Sequence, residues 1–356
     1  MANDERTNHA WIIAKACRGK YTPDCLRLEP RSIAGLLPGQ LLLRTIYLSL
    51  DPTSRNWLKL EPSSNIFGLA PGSVMIGHTI CQVEESATEG FVKGDLVVGM
   101  SGWERYSTVQ AAMVSKVKVG VPLETNTTIF SHIGYAAATG MIGVGDVQSR
   151  DTVVVSAAAG ATGSIAAQIA KARGAHVIGI AGGAEKCRFL IEELGLDGAI
   201  DYKTQDVATA LAGLCPQGVS LFFDNVGGRI LDAVLMNLAI GARIAVCGQI
   251  ALYDSEDRHD GQGVRNLMEL VFRQARMEGF VAGQQVDHVP EFDALLERLY
   301  REGKIGSRAH IVKGLEKAAE TLPLVLSGEN KGKLMIEVSP PPTKLGITQG
   351  NGLPGA

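Results

Sequence analysis

The stretch SAAAGATGSIAAQIAKARGAHVIGIAGG, residues 156–183, constrains the fold more than any other part of the chain. The apolar run TVVVS leads into it and the run AHVIGIA nearly closes it, and each has the length and composition of a buried strand. Between them, Ile165, Ile169 and Ala170 share one helical face, and Gly174 stands where that helix would end. Strand, helix and strand in this order predict a βαβ unit of a parallel sheet.

The turn between the first strand and the helix has the spacing of a nucleotide-binding fingerprint. Ala158, Gly160 and Gly163 occupy the three places of a G-x-G-x-x-G pattern, with alanine in the first place. Backbone N–H groups at the helix start, where Thr162 lies, would face a pyrophosphate. The alternative is that the small residues only let the helix pack close to the strand, but the complete strand-turn-helix unit favours a nucleotide site.

The end of the second strand indicates which dinucleotide the site holds. In NAD-binding units a carboxylate lies about 20 residues beyond the glycines and accepts hydrogen bonds from the adenosine ribose. Here that place reads GIAGGAEK, in which no acid stands at the strand end and Gly182 leaves room for a bulkier group. Lys186 can supply a cation to a 2′-phosphate, although an ordinary solvated lysine is the alternative. The sequence therefore favours NADPH over NADH.

The chain divides into two domains of an α/β protein. Short extended segments separated by glycine and proline fill the first part, which predicts a mostly β domain. Apolar runs then alternate with helix-period segments, ending in a last strand at EGFVAG, which predicts a doubly wound parallel sheet. We assign residues 1–130 with 308–340 to the first domain, 131–307 to the nucleotide-binding domain, and the Pro- and Gly-rich residues 341–356 to a disordered tail.

Charge and composition argue against several classes of partner. The formal net charge of -3 gives no field that would attract a nucleic acid or an anionic membrane, and no apolar run reaches the roughly 18 residues of a membrane helix. The start MANDERTNHA is unlike a secretory signal, so we expect a cytoplasmic protein with no nucleic-acid or membrane partner. The six cysteines include no Cys-x-x-Cys pair, which favours neither a disulfide framework nor structural zinc.

Several segments in the same order resemble one enzyme family. They are LSLDPTSRNW, PGSVMIGH, the 156–183 stretch, FFDNVGG, RIAVCGQIALYD and GENKGKLMIEV. The chain resembles the zinc-independent medium-chain dehydrogenase/reductase superfamily, and within it the NADPH-dependent alkenal/one reductases of the prostaglandin and curcumin reductase type. The resemblance implies a GroES-like first domain, a Rossmann second domain, and a homodimer formed through an edge strand of the second domain, here GFVAG.

The resemblance also implies roles for individual residues. Lys186 and Tyr202 match the lysine and tyrosine that hold the 2′-phosphate in the family, and Asn225 and Asn330 match asparagines that lie along the cofactor. Tyr253 matches a tyrosine near the nicotinamide and the substrate. The alternatives stay open that Asn225 only shapes a turn and that Tyr253 only lines a pocket.

The chain departs from the family pattern near the substrate region. Thr53 replaces a frequent tyrosine, Gly140 and Met141 interrupt a GLTAY-like segment, and Asp254 replaces an asparagine after Tyr253. We expect Thr53, Met141 and the segment EPSSNIFGLAPGS to shape an unusual pocket for a specialised metabolite.

A catalytic zinc ion is not expected. GHT at residues 77–79 is similar to the Gly-His-Glu of zinc alcohol dehydrogenases, but a catalytic zinc needs three protein ligands and an open position. Thr79 stands in the place of the glutamate, and no four-cysteine structural lobe is present. His78 is therefore interpreted as a pocket or core histidine, and no metal site is predicted.

The reaction implied by the resemblance is reduction of the carbon–carbon double bond of a small enone or enal. Hydride from NADPH goes to the β-carbon, charge gathers on the carbonyl oxygen as an enolate, and a proton reaches the α-carbon. Tyr253 is the candidate catalytic residue, because a neutral phenol can donate a hydrogen bond to that oxygen. Two alternatives remain: reduction of a quinone or carbonyl by the same cofactor, and NADPH binding without catalysis.

Overall fold

The computed structural model describes residues 7–59, 68–255, 264–282 and 288–342. These residues form two compact units. The first comprises the described residues up to Thr127, then Asp254 and Ser255, and those from Ala309 onward, while the second comprises those from Thr128 to Tyr253 and from Val264 to Arg308. Most of the tail predicted to be disordered, from residue 343 on, lies outside the described residues. Residues 61–67, which belong to the segment EPSSNIFGLAPGS, also lie outside them.

The first unit consists mostly of strands, whereas strands and helices alternate in the second unit. In chain order the strands are β1 (Asn8–Ile13), β2 (Leu26–Arg31), β3 (Gln40–Ser49), β4 (Ile76–Ser86), β5 (Leu96–Gly102), β6 (Tyr106–Gln110), β7 (Val114–Lys116), β8 (Thr152–Ser156), β9 (His176–Ala181), β10 (Gly198–Asp201), β11 (Val219–Asp224), β12 (Leu238–Val246), β13 (Arg276–Gly279), β14 (Ala309–Lys313) and β15 (Lys333–Glu337). The helices are α1 (Ser54–Trp57), α2 (His132–Ala138), α3 (Ala161–Ala172), α4 (Ala184–Arg188), α5 (Val207–Leu214), α6 (Gly228–Leu235), α7 (Met268–Phe272), α8 (Val289–Arg301), α9 (Ala318–Thr321) and α10 (Pro323–Leu326). None of these helices of the described residues has the length and apolar character that a bilayer crossing requires.

Among the described residues, the first unit is built on a seven-stranded sheet. Its order is β14-β15-β3-β4-β5-β7, with β6 also paired to β3, while β1 and β2 form a separate antiparallel pair. All neighbours in the sheet are antiparallel except β14 and β15. β3 lies at the centre of the sheet, and most of its side chains are buried. This architecture confirms the predicted β-rich first domain.

A buried ion pair links the last strand of the first unit to the segment that follows β3. The Lys333 ammonium donates to Asp51 Oδ1 at 2.5 Å and to the Leu50 carbonyl at 3.1 Å. The Ser49 hydroxyl donates to the other carboxylate oxygen of Asp51 at 2.5 Å. Because both charged groups lie inside the unit, each depends on the other for compensation of its charge.

In the part of the chain that the structure describes, the second unit contains a six-stranded sheet. The order is β10-β9-β8-β11-β12-β13, and every neighbouring pair is parallel. The strand order reverses between β8 and β11, which is the doubly wound arrangement predicted from the sequence. Ligands of such sheets bind outside the carboxyl ends of the strands, at the point of reversal.

Helix α3 begins and ends as its sequence predicts. Its residues from Gly163 to Ala170 are buried, so it packs closely on the sheet. At the C-terminus Gly174 adopts φ of 84°, a left-handed conformation that suits glycine. The N–H groups of Ala175 and Gly174 then donate to the carbonyls of Ala170 and Lys171, which closes the helix with a Schellman motif.

The edge strand β13 differs from its predicted position. The segment EGFVAG is predicted to be the last strand, but the observed strand starts two residues earlier, at Arg276, and ends at Gly279. Phe280 instead packs its ring edge against Phe223, with ring centroids 6.1 Å apart. An edge strand pairs on one side only, so its ends are weakly specified by pattern.

Gly140 and Met141 lie in a π-helical continuation of α2. A Cβ on Gly140 would lie 2.3 Å from the Phe223 ring and 2.7 Å from the Phe280 ring, so glycine permits this close packing. Met141 is fully buried in the second unit. The expectation that Met141 helps to shape a substrate pocket stays a prediction. Thr53, by contrast, is exposed in the first unit.

Candidate active site

Most of the predicted site residues lie at the carboxyl ends of neighbouring parallel strands. Tyr202 follows β10, Gly182 follows β9, the fingerprint turn follows β8, Asn225 follows β11, and Gly248 leads from β12 towards Tyr253. The five strand ends form one edge of the sheet. They include both sides of the reversal between β8 and β11, where a dinucleotide crevice is expected.

The fingerprint turn brings the start of α3 against the end of β8. A Cβ on Gly163 would lie 2.4 Å from the Ala157 carbonyl oxygen, and a Cβ on Gly160 would lie 3.1 Å from the same atom. Only glycine fits at position 163 without moving backbone. The first N–H groups of the helix, including that of Thr162, have no acceptor within the helix and can bind an anion.

The alanine in the first place of the fingerprint has a packing explanation. The left-handed residue of the turn is Ala157, with φ of 49°, and not Ala158. Ala158 is buried, its N–H donates to the Ile180 carbonyl at 3.0 Å, and its methyl group fills the space above Gly179. The turn therefore accommodates the methyl group of Ala158 in the first place of the fingerprint. The sequence pattern gave no signal that Ala157 adopts the left-handed conformation.

Gly182 and Tyr202 are brought into contact. A Cβ on Gly182 would lie 2.9 Å from both the hydroxyl oxygen and a ring carbon of Tyr202, so the tyrosine lies across the glycine. Tyr202 remains 42% exposed, which leaves its hydroxyl accessible to a ligand. Lys186 lies on α4, which begins at Ala184, two residues after Gly182. These three residues thus border one surface at the ends of β9 and β10.

A carboxylate that the sequence interpretation missed organises this surface. Asp201 Oδ1 accepts hydrogen bonds from the backbone N–H groups of Gly183, at 2.8 Å, and Lys203, at 3.0 Å. The bond from Gly183 lowers the pKa of the Asp201 carboxyl below its ordinary value. No acid stands at the end of β9, but this acid at the end of β10 holds the two turns together. The aspartate of IDYK was the available signal.

Asn225 is fixed by residues at the ends of β8 and β11. Its backbone N–H donates to the Ser156 hydroxyl at 2.8 Å, and its side-chain amide donates to the Ser156 carbonyl at 2.7 Å. Buried Asp224 accepts from the Ser156 hydroxyl at 2.8 Å and from the N–H groups of Val226 and Gly227. Burial raises the pKa of the Asp224 carboxyl, and these hydrogen bonds oppose the rise. Asn225 therefore presents its amide from a rigid turn.

Tyr253 lies on the segment that leaves β12. The Ile250 and Ala251 N–H groups donate to the carbonyls of Asn225 and Val226, both at 3.2 Å, so this segment is tied to the Asn225 turn. The Tyr253 hydroxyl oxygen lies 3.1 Å from the position of a Cβ on Gly248. A larger residue at position 248 would press on the phenol.

A cavity of about 710 Å³ lies in the second unit beside the start of α6. Its walls include Tyr202, Val226, Gly227, Arg229 and Ala251, and most of the exposed wall is apolar. The Arg229 side chain is exposed and makes no ion pair or hydrogen bond with another described residue. Apolar walls with a neighbouring guanidinium suit a flat heteroaromatic group.

Asn330 belongs to the first unit. Its side-chain amide donates to the Gly332 carbonyl at 2.6 Å within the turn before β15, and its backbone N–H donates to the Leu324 carbonyl. All the other residues predicted to contact a cofactor belong to the second unit.

The described residues contain no group of three or more His, Cys, Asp and Glu side chains that could hold a metal ion. His78 and Thr79 lie on β4 in the first unit, where the Thr79 and Ser101 hydroxyl oxygens are 2.7 Å apart. The Thr79 hydroxyl is therefore buried and hydrogen-bonded within the first unit.

Comparison with known proteins finds similarity over nearly the whole chain. Residues 9–117 match the family model described as the N-terminal domain of oxidoreductase, and residues 161–300 match that of the zinc-binding dehydrogenases. The chain is 36% identical to the NADPH-dependent curcumin reductase of Escherichia coli, covering 95% of this chain and 99% of that protein. It is 38% identical to the NADP(+)-dependent 2-alkenal reductase of Nicotiana tabacum, covering 84% and 87%. The crystal structure of CurA from Vibrio vulnificus in complex with NADPH matches with a TM-score of 0.87 at 33% identity, covering 94% of this chain and 100% of that one.

Proposed function

We propose that this chain, which belongs to the zinc-independent medium-chain dehydrogenase/reductase family, catalyses the NADPH-dependent reduction of the carbon–carbon double bond of an α,β-unsaturated carbonyl compound. The observation that carries the proposal is its similarity, over most of the chain, to reductases named for NADPH and for 2-alkenals. A 2-alkenal contains a double bond conjugated to a carbonyl, the group on which this reaction acts.

The residues at the strand ends fit NADPH. The N-terminus of α3, with Gly160, Thr162 and Gly163, offers unpaired N–H groups and close backbone approach for the pyrophosphate. Lys186 and Tyr202, which border the surface around Gly182, would hold the 2′-phosphate.

Three further features of the chain would complete the cofactor site. The apolar cavity beside α6 would take the adenine. Ala158, buried behind the fingerprint turn, supports the turn, while Asn225 and, from the first unit, Asn330 would bind along the remainder of the cofactor. The assignments of Asn225 and Asn330 rest on matching positions in the family, and that of the adenine rests on the shape and apolar walls of the cavity.

Tyr253 acts on the substrate in this proposal. Bound NADPH supplies the hydride that adds to the β-carbon of the substrate. The electron pair of the double bond then becomes an enolate, whose negative oxygen accepts a hydrogen bond from the Tyr253 phenol. Solvent delivers the proton to the α-carbon, so the product is the saturated carbonyl compound. The chain's own contribution is orientation of the substrate and stabilisation of that oxygen.

A cofactor oxidation assay with product identification tests the proposed reaction. The purified protein is mixed with NADPH or NADH and with a 2-alkenal or an alkyl vinyl ketone. Reduced nicotinamide absorbs at about 340 nm, and the loss of this absorbance is followed. We expect faster oxidation of NADPH and a saturated carbonyl product. An alcohol product would instead indicate carbonyl reduction, and NADPH binding without oxidation across enones, quinones and ketones would indicate a binding protein.

We propose in addition that two copies of the chain associate through the edge of the second unit's sheet. Among the described strands, β13 pairs only with β12, and α7, which leads into it, exposes a set of apolar side chains. The exposed residues are Leu267, Met268, Val271, Phe272 and, beyond β13, Val281. An unpaired edge beside exposed apolar groups favours strand pairing with a second copy.

Light scattering coupled to size-exclusion chromatography tests this dimer. We expect the mass of two chains, and a shift towards one chain in Phe272→Glu, because a buried unpaired carboxylate opposes association. Val119→Glu is the control, since Val119 is 90% exposed in the first unit. A single-chain mass for the unmodified protein would contradict the proposal.

The cytoplasmic location expected from the sequence stays a prediction.

A further inference from the structure

We propose that Lys203 is a third residue that binds the 2′-phosphate of NADPH, together with Lys186 and Tyr202, and that it contributes to the choice of NADPH over NADH. The inference rests on the proposed use of NADPH. It concerns a residue that the sequence patterns did not single out, and it comes from the way the turn after β10 places two consecutive side chains.

The bend after β10 places the side chains of Tyr202 and Lys203 on the same side of the chain, next to Gly182. In an extended strand, consecutive side chains point to opposite faces. Here the N–H groups of Thr204 and Gln205 both donate to the Asp201 carbonyl, at 3.1 and 2.9 Å, so the chain bends sharply after β10. As a result the Tyr202 hydroxyl and the Lys203 Cε atom lie 2.9 and 3.0 Å from the position of a Cβ on Gly182.

Gly182 therefore lies under the Tyr202 phenol and the stem of the Lys203 side chain. The absence of a side chain at Gly182 leaves the space that the phenol and the lysine stem approach. The next residue, Gly183, has φ of 98° and begins the turn into α4, which carries Lys186. A phosphate bound beside these two side chains would meet the Tyr202 hydroxyl and the Lys203 ammonium, and the Lys186 ammonium can reach it from α4.

The backbone at Lys203 is held in place. Asp201 Oδ1 accepts from the N–H groups of both Lys203 and Gly183, so one carboxylate fixes the turn after β10 to the turn after β9. Because both turns share this anchor, the side chain of Lys203 starts from a defined point relative to Gly182. A preorganised donor loses less conformational entropy when a ligand binds.

The Lys203 ammonium is available to a ligand. The side chain is exposed, and its Nζ atom makes no hydrogen bond or ion pair with another described residue. The neighbouring Asp201 carboxylate accepts two backbone donors at Oδ1 and also attracts the Lys203 ammonium, which keeps that ammonium near the turn. A 2′-phosphate dianion adds charge and acceptors that the 2′-hydroxyl of NADH lacks, so the contribution of Lys203 should be selective for the phosphorylated cofactor.

Binding measurements on the full chain test this role without relying on turnover. Isothermal titration with NADP+, NAD+, 2′,5′-ADP and 5′-ADP is compared between the unmodified protein and Lys203→Met. Loss of one charge-assisted contact should weaken NADP+ and 2′,5′-ADP about tenfold or more, with NAD+ and 5′-ADP nearly unchanged. Lys203→Arg keeps the positive charge and should retain most of the preference for the phosphorylated ligands.

Lys304→Met is the matched control, because it removes one positive charge from the same unit. Lys304 lines a shallow cavity with Ala172 and Arg173 at the end of α3, whereas the fingerprint turn lies at its start. It pairs with Glu302 at 2.8 Å, and its removal should leave all four affinities unchanged.

Two results would overturn the inference. Equal weakening of NADP+ and NAD+ in Lys203→Met would mean that Lys203 only shapes the turn, and unchanged binding of all four ligands would mean that it is only solvated. Neither result affects the proposed reaction, which is judged by product formation in the unmodified protein. Failure of the unmodified protein to bind NADP+ would remove the basis for both proposals.

Discussion

Ser156 and Asp224, which end the adjacent strands β8 and β11, are joined by a 2.8 Å hydrogen bond from the serine hydroxyl to the aspartate carboxylate. Asp224 is fully buried and has no ion-pair partner within the described part of the chain, so its charge is compensated by hydrogen-bond donors alone. The same serine oxygen accepts from the Asn225 backbone. The pair thus fixes the strand reversal at which the cofactor is proposed to bind.

Ser156→Ala should weaken both the fold and cofactor binding. The substitution removes a donor from a buried carboxylate and an acceptor from the Asn225 N–H, which should cost about 1–3 kcal/mol of unfolding free energy. Because the Asn225 backbone then loses one of the two hydrogen bonds that tie this residue to position 156, NADP+ affinity should also fall. Urea denaturation and titration with NADP+ measure the two effects.

A second serine that links the same two strands is the control for Ser156. The Ser220 hydroxyl donates to Asp151 at 2.9 Å and accepts from the Thr152 N–H, at the opposite end of β8 and β11. Ser220→Ala should lower stability by a similar amount and leave NADP+ affinity unchanged. Equal loss of affinity in both variants would show that the Ser156 effect is only a loss of stability.

Local patterns predicted the parts of the site that depend on neighbours in sequence. The fingerprint turn, the end of α3 at Gly174 and the β8-α3-β9 unit each follow from residues close together in the chain. Periodicity and glycine placement encode these features directly. They were sufficient to predict the doubly wound sheet.

Contacts between distant segments were not predictable in the same way. Ser156 and Asp224 are 68 positions apart, and Asp201 reaches Gly183 across 18 positions. A single sequence shows the aspartates but not which turns they join. The burial of Met141 was not predictable for a similar reason, because it depends on how the π-helical segment packs.

Tyr253→Phe should slow turnover while leaving NADP+ binding intact. Loss of a hydrogen-bond donor to a developing oxyanion typically costs about a hundredfold in kcat. Steady-state kinetics with a 2-alkenal and titration with NADP+ separate the two quantities. Tyr135→Phe is the control, because its hydroxyl donates to Asp293 at 3.1 Å on α8, and it should keep full kcat. Full turnover in Tyr253→Phe would exclude the catalytic role of the phenol.

Asp254→Ala should destabilise the first unit. Arg55 is fully buried, and its Nε donates to Asp254 Oδ1 at 2.9 Å, while the Tyr21 N–H donates to the same oxygen at 3.1 Å. Removing the carboxylate leaves a buried guanidinium without its counter-charge, which costs about 3 kcal/mol. Asp254→Asn keeps an acceptor and should lose less. Chemical denaturation measures both variants.

An exposed ion pair in the same unit is the control for Asp254. Lys15 and Asp24 lie 2.5 Å apart with side chains 56% and 65% exposed, and Asp24→Ala should change stability far less than Asp254→Ala because solvent screens the pair. Comparable losses in Asp24→Ala and Asp254→Ala would mean that burial of Arg55 adds nothing to the Asp254 interaction.

The protein should lose stability above about pH 9, because three cysteines with raised pKa values, Cys17, Cys215 and the partly exposed Cys247, resist ionisation. Burial raises the pKa of Cys215 to about 11, burial and the nearby Asp224 carboxylate raise that of Cys247 to about 12, and burial and a hydrogen bond with Cys25 raise that of Cys17 to about 11. In the unfolded chain these thiols ionise near their ordinary pKa of about 8.5. Between that value and the folded pKa, the unfolded state binds fewer protons, so the free energy of unfolding falls as the pH rises.

Urea denaturation at several pH values from about 8 to about 10.5, under reducing conditions, measures this loss. Cys215→Ala isolates one thiol, since Cys215 is only 4% exposed and burial is the cause of its raised pKa. The variant's unfolding free energy should fall less steeply with pH, by at most about 1.4 kcal/mol per pH unit, because one fewer proton is released on unfolding. Tyrosines and lysines titrate in both proteins and cancel in this comparison. Identical pH slopes for the variant and the unmodified protein would show that Cys215 ionises equally in the folded and unfolded states.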